Sequence, residues 1–265
     1  MRNQGWMTAC VLAGFVVLAA APARADGPCA DLPSHAQLKA ALETARAAAN
    51  GGFNLDMWAT VVNRDGLVCA VAFTGNDRGD QWPGSRVISA QKANTANAFS
   101  LPGLALSTAN LYQATQPGGS LFGLQLSNPV NTDVAYGGNP GNFGQSNDPM
   151  VGGRIGGINV FGGGLGLYNA SGKLVGGIGV SGDTSCADHN IAWRTRNTLN
   201  LDFVPAGVAA NFTGDTTHKD NIIFDIIPQA GQMPGTSASG FGHPHCGPGR
   251  PAGETLLASQ LPATR

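Results

Sequence analysis

The chain has 265 residues, a formal net charge of −1 and 39 glycines, and only 12% of its residues are charged. So weak a charge balance argues against a nucleic-acid or lipid-headgroup partner, and the length fits one large domain or two small ones. Against a usual charged fraction of about a quarter, the surface must be covered by Gly, Asn, Ser and Thr or hidden in an oligomer.

The chain opens with a positive residue, Arg2, then an apolar run from Met7 to Ala21, then Ala23-Arg24-Ala25. This reads as a secretory signal peptide cleaved after Ala25. The apolar run is short for a membrane span of roughly 20 residues, and no later segment could cross a bilayer, so no membrane insertion is expected after cleavage. The mature chain, 26–265, is expected in the periplasm or secreted. Its cysteines are Cys29, Cys69, Cys186 and Cys246. Their even count in an exported chain favours disulfides, with three possible pairings. Pairing each outer cysteine with the nearest inner one gives Cys29–Cys69 and Cys186–Cys246, a preference rather than a deduction.

Ser34-His35-Ala36-Gln37 is a capping box, and the apolar spacing after it predicts a helix over 34–49. Met57–Val62 and Leu67–Phe73 flank an Asp65-Gly66 step and predict a β-hairpin. Helices are predicted over 85–99 and, shorter, around 107–115. A long loop rich in Asn and Gly follows, near 127–152, with almost no apolar periodicity; loops of that length are often functional or interfacial. A second hairpin turns at Asn169–Gly172 and returns through Leu174–Val180. Ser185-Cys186-Ala187-Asp188 starts the last clear helix, with Ala187, Ile191, Thr195 and Leu199 on one face. Beyond 202, only Asn221–Ile227 is strand-like, and a Gly/Pro-rich tail after Pro228 wraps the domain, pinned by Cys246. The expected division is a domain over 26–201 and a C-terminal extension over 202–265. Two hairpins predict an antiparallel sheet with helices packed on it, an α+β fold.

The second hairpin ends in Gly177-Ile178-Gly179-Val180-Ser181-Gly182, a literal G-x-G-x-x-G. A dinucleotide fingerprint needs a βαβ unit whose helix begins at the third glycine. Here the strand is a hairpin arm and the helix starts later, so the string is not a nucleotide site. Glycines in strands mark bulges or close backbone approach. Two readings stay open: a flat ligand or subunit lying on the sheet, or tight packing against a helix. No G-x-S-x-G elbow is present, because Asp183 holds its last position.

Gly176 to Gly182 followed by Asp188, the run Gln91-Lys92-Ala93-Asn94-Thr95-Ala96, and Pro117-Gly118-Gly119-Ser120-Leu121-Phe122 occur in that order. Together they resemble the motifs of GlcG/HbpS-type proteins over about 32–199. The resemblance implies a profilin-like α+β domain, assembly into a homo-oligomer, and a haem-binding or haem-related role. Sensing, storage and uptake all fit such a role. Haem degradation or a small-metabolite activity, and a purely structural oligomer, are the alternatives. The long loop and the C-terminal extension depart from the family pattern.

Haem iron takes His, Met, Cys or Tyr. His189, in the first turn of the helix after the signature, is the first candidate ligand, with a surface or capping role as the bland alternative. Lys92 is a candidate partner for a haem propionate, and Asp188 a candidate ligand contact. His243 and His245, in His243-Pro244-His245-Cys246, form a weaker metal candidate, with tail anchoring as the alternative. Asp188 and His189 point about 100° apart on a helix and cannot orient one another.

Overall fold

The computed structural model describes Met1, residues 27–247 and residues 251–265. The signal-peptide reading of 1–25 lies outside the described residues. Ser34 caps α1 (His35–Arg46), with the reciprocal Gln37 bond of a capping box present. β1 (Trp58–Asn63) and β2 (Val68–Phe73) form the first hairpin, and α2 spans Ser85–Phe99. β3 (Gly164–Tyr168) and β4 (Leu174–Ser181) form the second hairpin. The strand order is β2-β1-β4-β3 and every neighbour pair is antiparallel. The fold is thus α+β, as expected.

Both faces of this sheet are covered. On one face lie α1 and the helix that follows β4, burying Leu38, Leu42, Met57, Val61, Ile178 and Trp193. On the other lies α2, with Trp58, Val62, Val71, Val87 and Ala90 in a second cluster. The glycine question is answered on this second face. A Cβ on Gly179 would stand 2.0 Å from Ser89 O, and one on Gly177 2.4 Å from Ala93 O. The glycines let the α2 backbone lie directly on β4, so helix packing, not a ligand, occupies this stretch.

Between α2 and β3 the expected irregular loop is instead a folded excursion. The short helix expected around 107–115 is two 3-10 turns, Thr108–Leu111 and Gln113–Thr115; α3 (Leu124–Ser127) follows, and within 127–152 lie α4 (Thr132–Tyr136) and a further 3-10 turn at Pro140–Asn142. The physical reason is a buried pair, Arg86–Asp148. Asp148 accepts from Arg86 Nε at 2.9 Å and from the amides of Gly144 and Met150. Arg86 also donates to Ala135 O and stacks over Phe143. Met150, Ala135 and Ile155 thereby join the core.

After β4, α5 spans Ser185–Thr198. Its cap is Thr184, one residue before the expected Ser185, whose hydroxyl accepts from Ala187 N. The C-terminal segment is more structured than its composition suggests. It contains α6 (Val208–Thr213), a two-stranded ribbon of β5 (Ile226–Gln229) and β6 (Gln232–Ser237), and α7 (Pro251–Ser259). Disulfides join Cys29 to Cys69 and Cys186 to Cys246, the preferred pairing. Among the described residues no helix is long and apolar enough to cross a membrane.

Candidate functional site

Polar chemistry concentrates where the C-terminal segment crosses α5. Lys92 and Asp188, 96 positions apart in sequence, meet with Nζ 2.7 Å from Oδ2, and both side chains are buried. Lys92 also donates to Val180 O, and Asp188 accepts from Asp183 N at 2.9 Å. Burial pushes the Asp188 carboxyl up to about 6 and lowers the Lys92 ammonium; the attraction between the two opposes both shifts. Each charge is the other's counter-ion, so the pair is a structural tie between α2 and α5. Lys92 Nζ sits 4.8 Å from the Phe161 ring. The predicted residues do come together, but neither presents its charge to a ligand.

His189 is likewise turned inward and has no exposed surface. Its Nε2 lies 3.1 Å from Asn221 Oδ1 and 3.2 Å from Ile222 N, both in the C-terminal segment. Burial lowers the imidazole to about 4, so it is neutral. His189, the first candidate for a haem-iron ligand, is thus covered rather than on the surface, because the following segment packs over that side of the helix. Two turns further on, Arg196 forms a two-pronged pair with Asp220, at 2.6 and 2.8 Å. His218 is held at both ring nitrogens, by Asp215 and by Leu261 O.

The accessible chemistry lies beside the N-terminus of α5. An open cleft of about 310 Å³ is walled by Tyr112, Phe161, Ser185, His243, His245 and Cys246, among others. His243 and His245 differ sharply. His243 is buried, with Nδ1 2.7 Å from Pro244 O and Nε2 3.3 Å from Ser185 Oγ. Burial holds it neutral, at about 3. His245 stacks on Phe224 with ring centroids 4.2 Å apart, and its Nδ1 lies 2.9 Å from Glu254 Oε2. Its Nε2 has no hydrogen-bond partner among the described residues. A histidine whose one nitrogen is fixed by a carboxylate is oriented to offer the other to a metal. Glu254 also accepts from Cys246 N. Sequence reasoning missed Glu254, Tyr112 and Asp148, since no local motif surrounds them.

The family model described as "Haem degrading protein HbpS-like" matches residues 34–196. The chain belongs to this HbpS-like family. It is similar to the crystal structure of Klebsiella pneumoniae protein ORFY, at 24% identity over 62% of this chain and 86% of that one, with a TM-score of 0.42. It is also similar to a PduOC:haem complex, at 23% identity over 63% of this chain and 91% of that one, with a TM-score of 0.43. A Streptomyces reticuli HbpS double mutant is 22% identical over 69% of this chain and 99% of that one, with a TM-score of 0.39. No curated protein matches the chain. The family match ends at residue 196, so His243, His245, Cys246 and Glu254 all lie beyond it.

Proposed function

We propose that this is an exported haem-binding protein, active in sensing, storage or uptake in the periplasm or outside the cell, whose binding site is the cleft beside α5. Membership of an HbpS-like family supports the haem relation. The observation that carries the site is His245: it stands on an open cleft with Nδ1 anchored by Glu254 and with no hydrogen-bond partner for Nε2 among the described residues. The donor set fits haem iron, which commonly takes a single histidine. The aromatic walls, Tyr112 and Phe161, suit a flat apolar group. In this reading Glu254 fixes the His245 imidazole and Phe224 stacks on it, while Lys92 lies against Phe161, one of the aromatic walls. Self-association is supported by Phe122, Leu126 and Tyr136, exposed on the excursion.

Titrating the haem-free protein with haemin is expected to give a Soret shift saturating at one equivalent per chain. His245→Ala is expected to weaken binding at least tenfold, while His189→Gln leaves the spectrum unchanged. No saturable shift overturns haem binding; a shift lost in His189→Gln and kept in His245→Ala overturns the site. The family description also favours a degradative reading, for which haem decay with a reductant, persisting in the presence of catalase, is the decisive observation.

A further inference from the structure

The same corner of the molecule holds a second donor set. One ligand atom each from Cys186, Cys246 and His243 lie within 4.8 Å of one another. With the disulfide formed, the two sulfurs are spent on each other. We infer that the reduced form of Cys186 and Cys246, with His243, is a redox-gated site for a thiophilic metal ion of the Zn(II) class. This inference does not rest on the haem reading.

Three observations carry it. The first is the state of the imidazole. His243 Nδ1 lies 2.7 Å from a carbonyl, Pro244 O, and so carries the proton. The Nε2 lone pair is left for coordination, and only the long contacts to Ser185 Oγ and Gly162 N, at 3.3 and 3.4 Å, address it. A metal-binding histidine is fixed in this way by a carbonyl behind it.

The second is the setting of the sulfurs. Cys186 is the second residue of α5, and its amide donates to Cys246 Sγ at 3.0 Å. Ser185 Oγ lies 3.2 Å from the same sulfur. An otherwise unpaired first-turn amide and a hydroxyl both favour a thiolate at Cys246. Two thiolates and an imidazole suit zinc, with a fourth position open toward the cleft that His243 and Cys246 line.

The third is that the donors stay together when the disulfide opens. Anchors independent of it hold the segment: Trp193 and Arg196 tie it to α5, and three further bonds tie the segment to itself. Trp193 Nε1 donates to Pro262 O, Asn221 Nδ2 to Ala258 O, and His243 N to Ile223 O. Arg196 pairs with Asp220, and Cys246 N donates to Glu254. Release of the S–S bond thus leaves both cysteines in place rather than freeing a tail.

The chemistry balances with an external dithiol as reductant. One of its thiolates attacks a disulfide sulfur, giving a mixed disulfide and one protein thiol. Its second thiolate then displaces the other protein sulfur, and the reductant leaves as a cyclic disulfide. The metal displaces the two thiol protons; a small-molecule disulfide, as oxidant, returns the Cys186–Cys246 bridge by the reverse exchange and leaves as two thiols, and the metal is released.

The test uses the full mature chain, reduced by a water-soluble phosphine without oxygen, and Co(II) as probe. One equivalent is expected to give a thiolate-to-cobalt charge-transfer band and tetrahedral ligand-field bands, both removed by Zn(II). The oxidised protein is expected to show neither band. Cys186→Ser abolishes them, His243→Gln weakens cobalt binding at least tenfold, and a Cys29→Ser/Cys69→Ser variant keeps them. Far-UV circular dichroism before cobalt addition is expected to match that of the oxidised chain. Absence of the bands in the reduced protein, equal bands in the oxidised protein, or loss of the native dichroism on reduction each overturns the inference.

Discussion

The sheet domain and the C-terminal segment are held by different physics. In the domain, apolar side chains fill both faces of the sheet, and bare glycine backbone lets α2 lie on β4. The segment contributes fewer core residues, among them Val204, Ile222 and Leu261. It is held instead by discrete polar ties to α5: Arg196–Asp220, His189–Asn221, Trp193–Pro262 and the Cys186–Cys246 bridge. Packing of the first kind is spread over many side chains. Ties of the second kind are few, buried and unforgiving, because a lost partner leaves a polar group without water.

The sharpest way to break this contrast is at Arg196. Arg196→Met leaves the Asp220 carboxylate buried without its partner and is expected to cost about 3–5 kcal/mol. The added change Asp220→Leu is expected to recover much of that loss. Urea unfolding of the single and double variants measures both; a single-variant loss under about 1 kcal/mol would contradict the role given to this pair.

Next in size is the bridge. Replacing Cys186 and Cys246 by serine is expected to cost about 2–4 kcal/mol, the usual range for a disulfide. The remaining ties predict a lower melting temperature with native circular dichroism retained. A segment released to proteolysis by this change alone would show that the ties are weaker than drawn.

Acid provides the smallest and most selective perturbation. His189 and His243 have folded pKa values lowered to about 4 and about 3, against an ordinary value of 6.5. The unfolded chain binds their protons first, so their contribution is fully present above about pH 6.5 and is lost as pH falls. Asp188, raised to about 6, takes up its proton in the folded chain first and opposes the loss below that pH. Two protons against one leave a net fall of about 1.4 kcal/mol per pH unit between about pH 6 and pH 4 from these three groups. His243→Gln is expected to flatten this fall; stability independent of pH across that window would sink the assignment of both histidines as buried and neutral.

Much of the domain was legible in the chain because its signals are local. Helix α2 falls over the predicted residues, the Ser34 box caps α1, and both hairpins form where their turn residues fall. The disulfides form in the pairing preferred from proximity along the chain, one of three that the count allowed. The candidate site was legible only in part. Lys92 and Asp188 were both singled out, but nothing in a linear pattern reveals that two residues 96 apart neutralise one another inside the core. Asp148 orders the excursion through a single distant arginine, with no periodicity to announce it. The burial of His189 was hidden for the same reason: the residues that cover it, Asn221 and Ile222, lie 32 and 33 positions further along the chain, and no local pattern ties them to α5. His245 looked weak beside Pro244 and Cys246, and only the Glu254 contact gives it an orientation.

The Arg196–Asp220 pair also sets an order of events in time. Synthesis proceeds from the N-terminus, so Arg196 leaves the ribosome 24 residues ahead of the carboxylate that must neutralise it. Until Asp220 arrives, the last helix of the sheet domain carries a cation that it cannot bury. A chain stopped short of Asp220 would leave Arg196 without the counter-ion that its buried position requires.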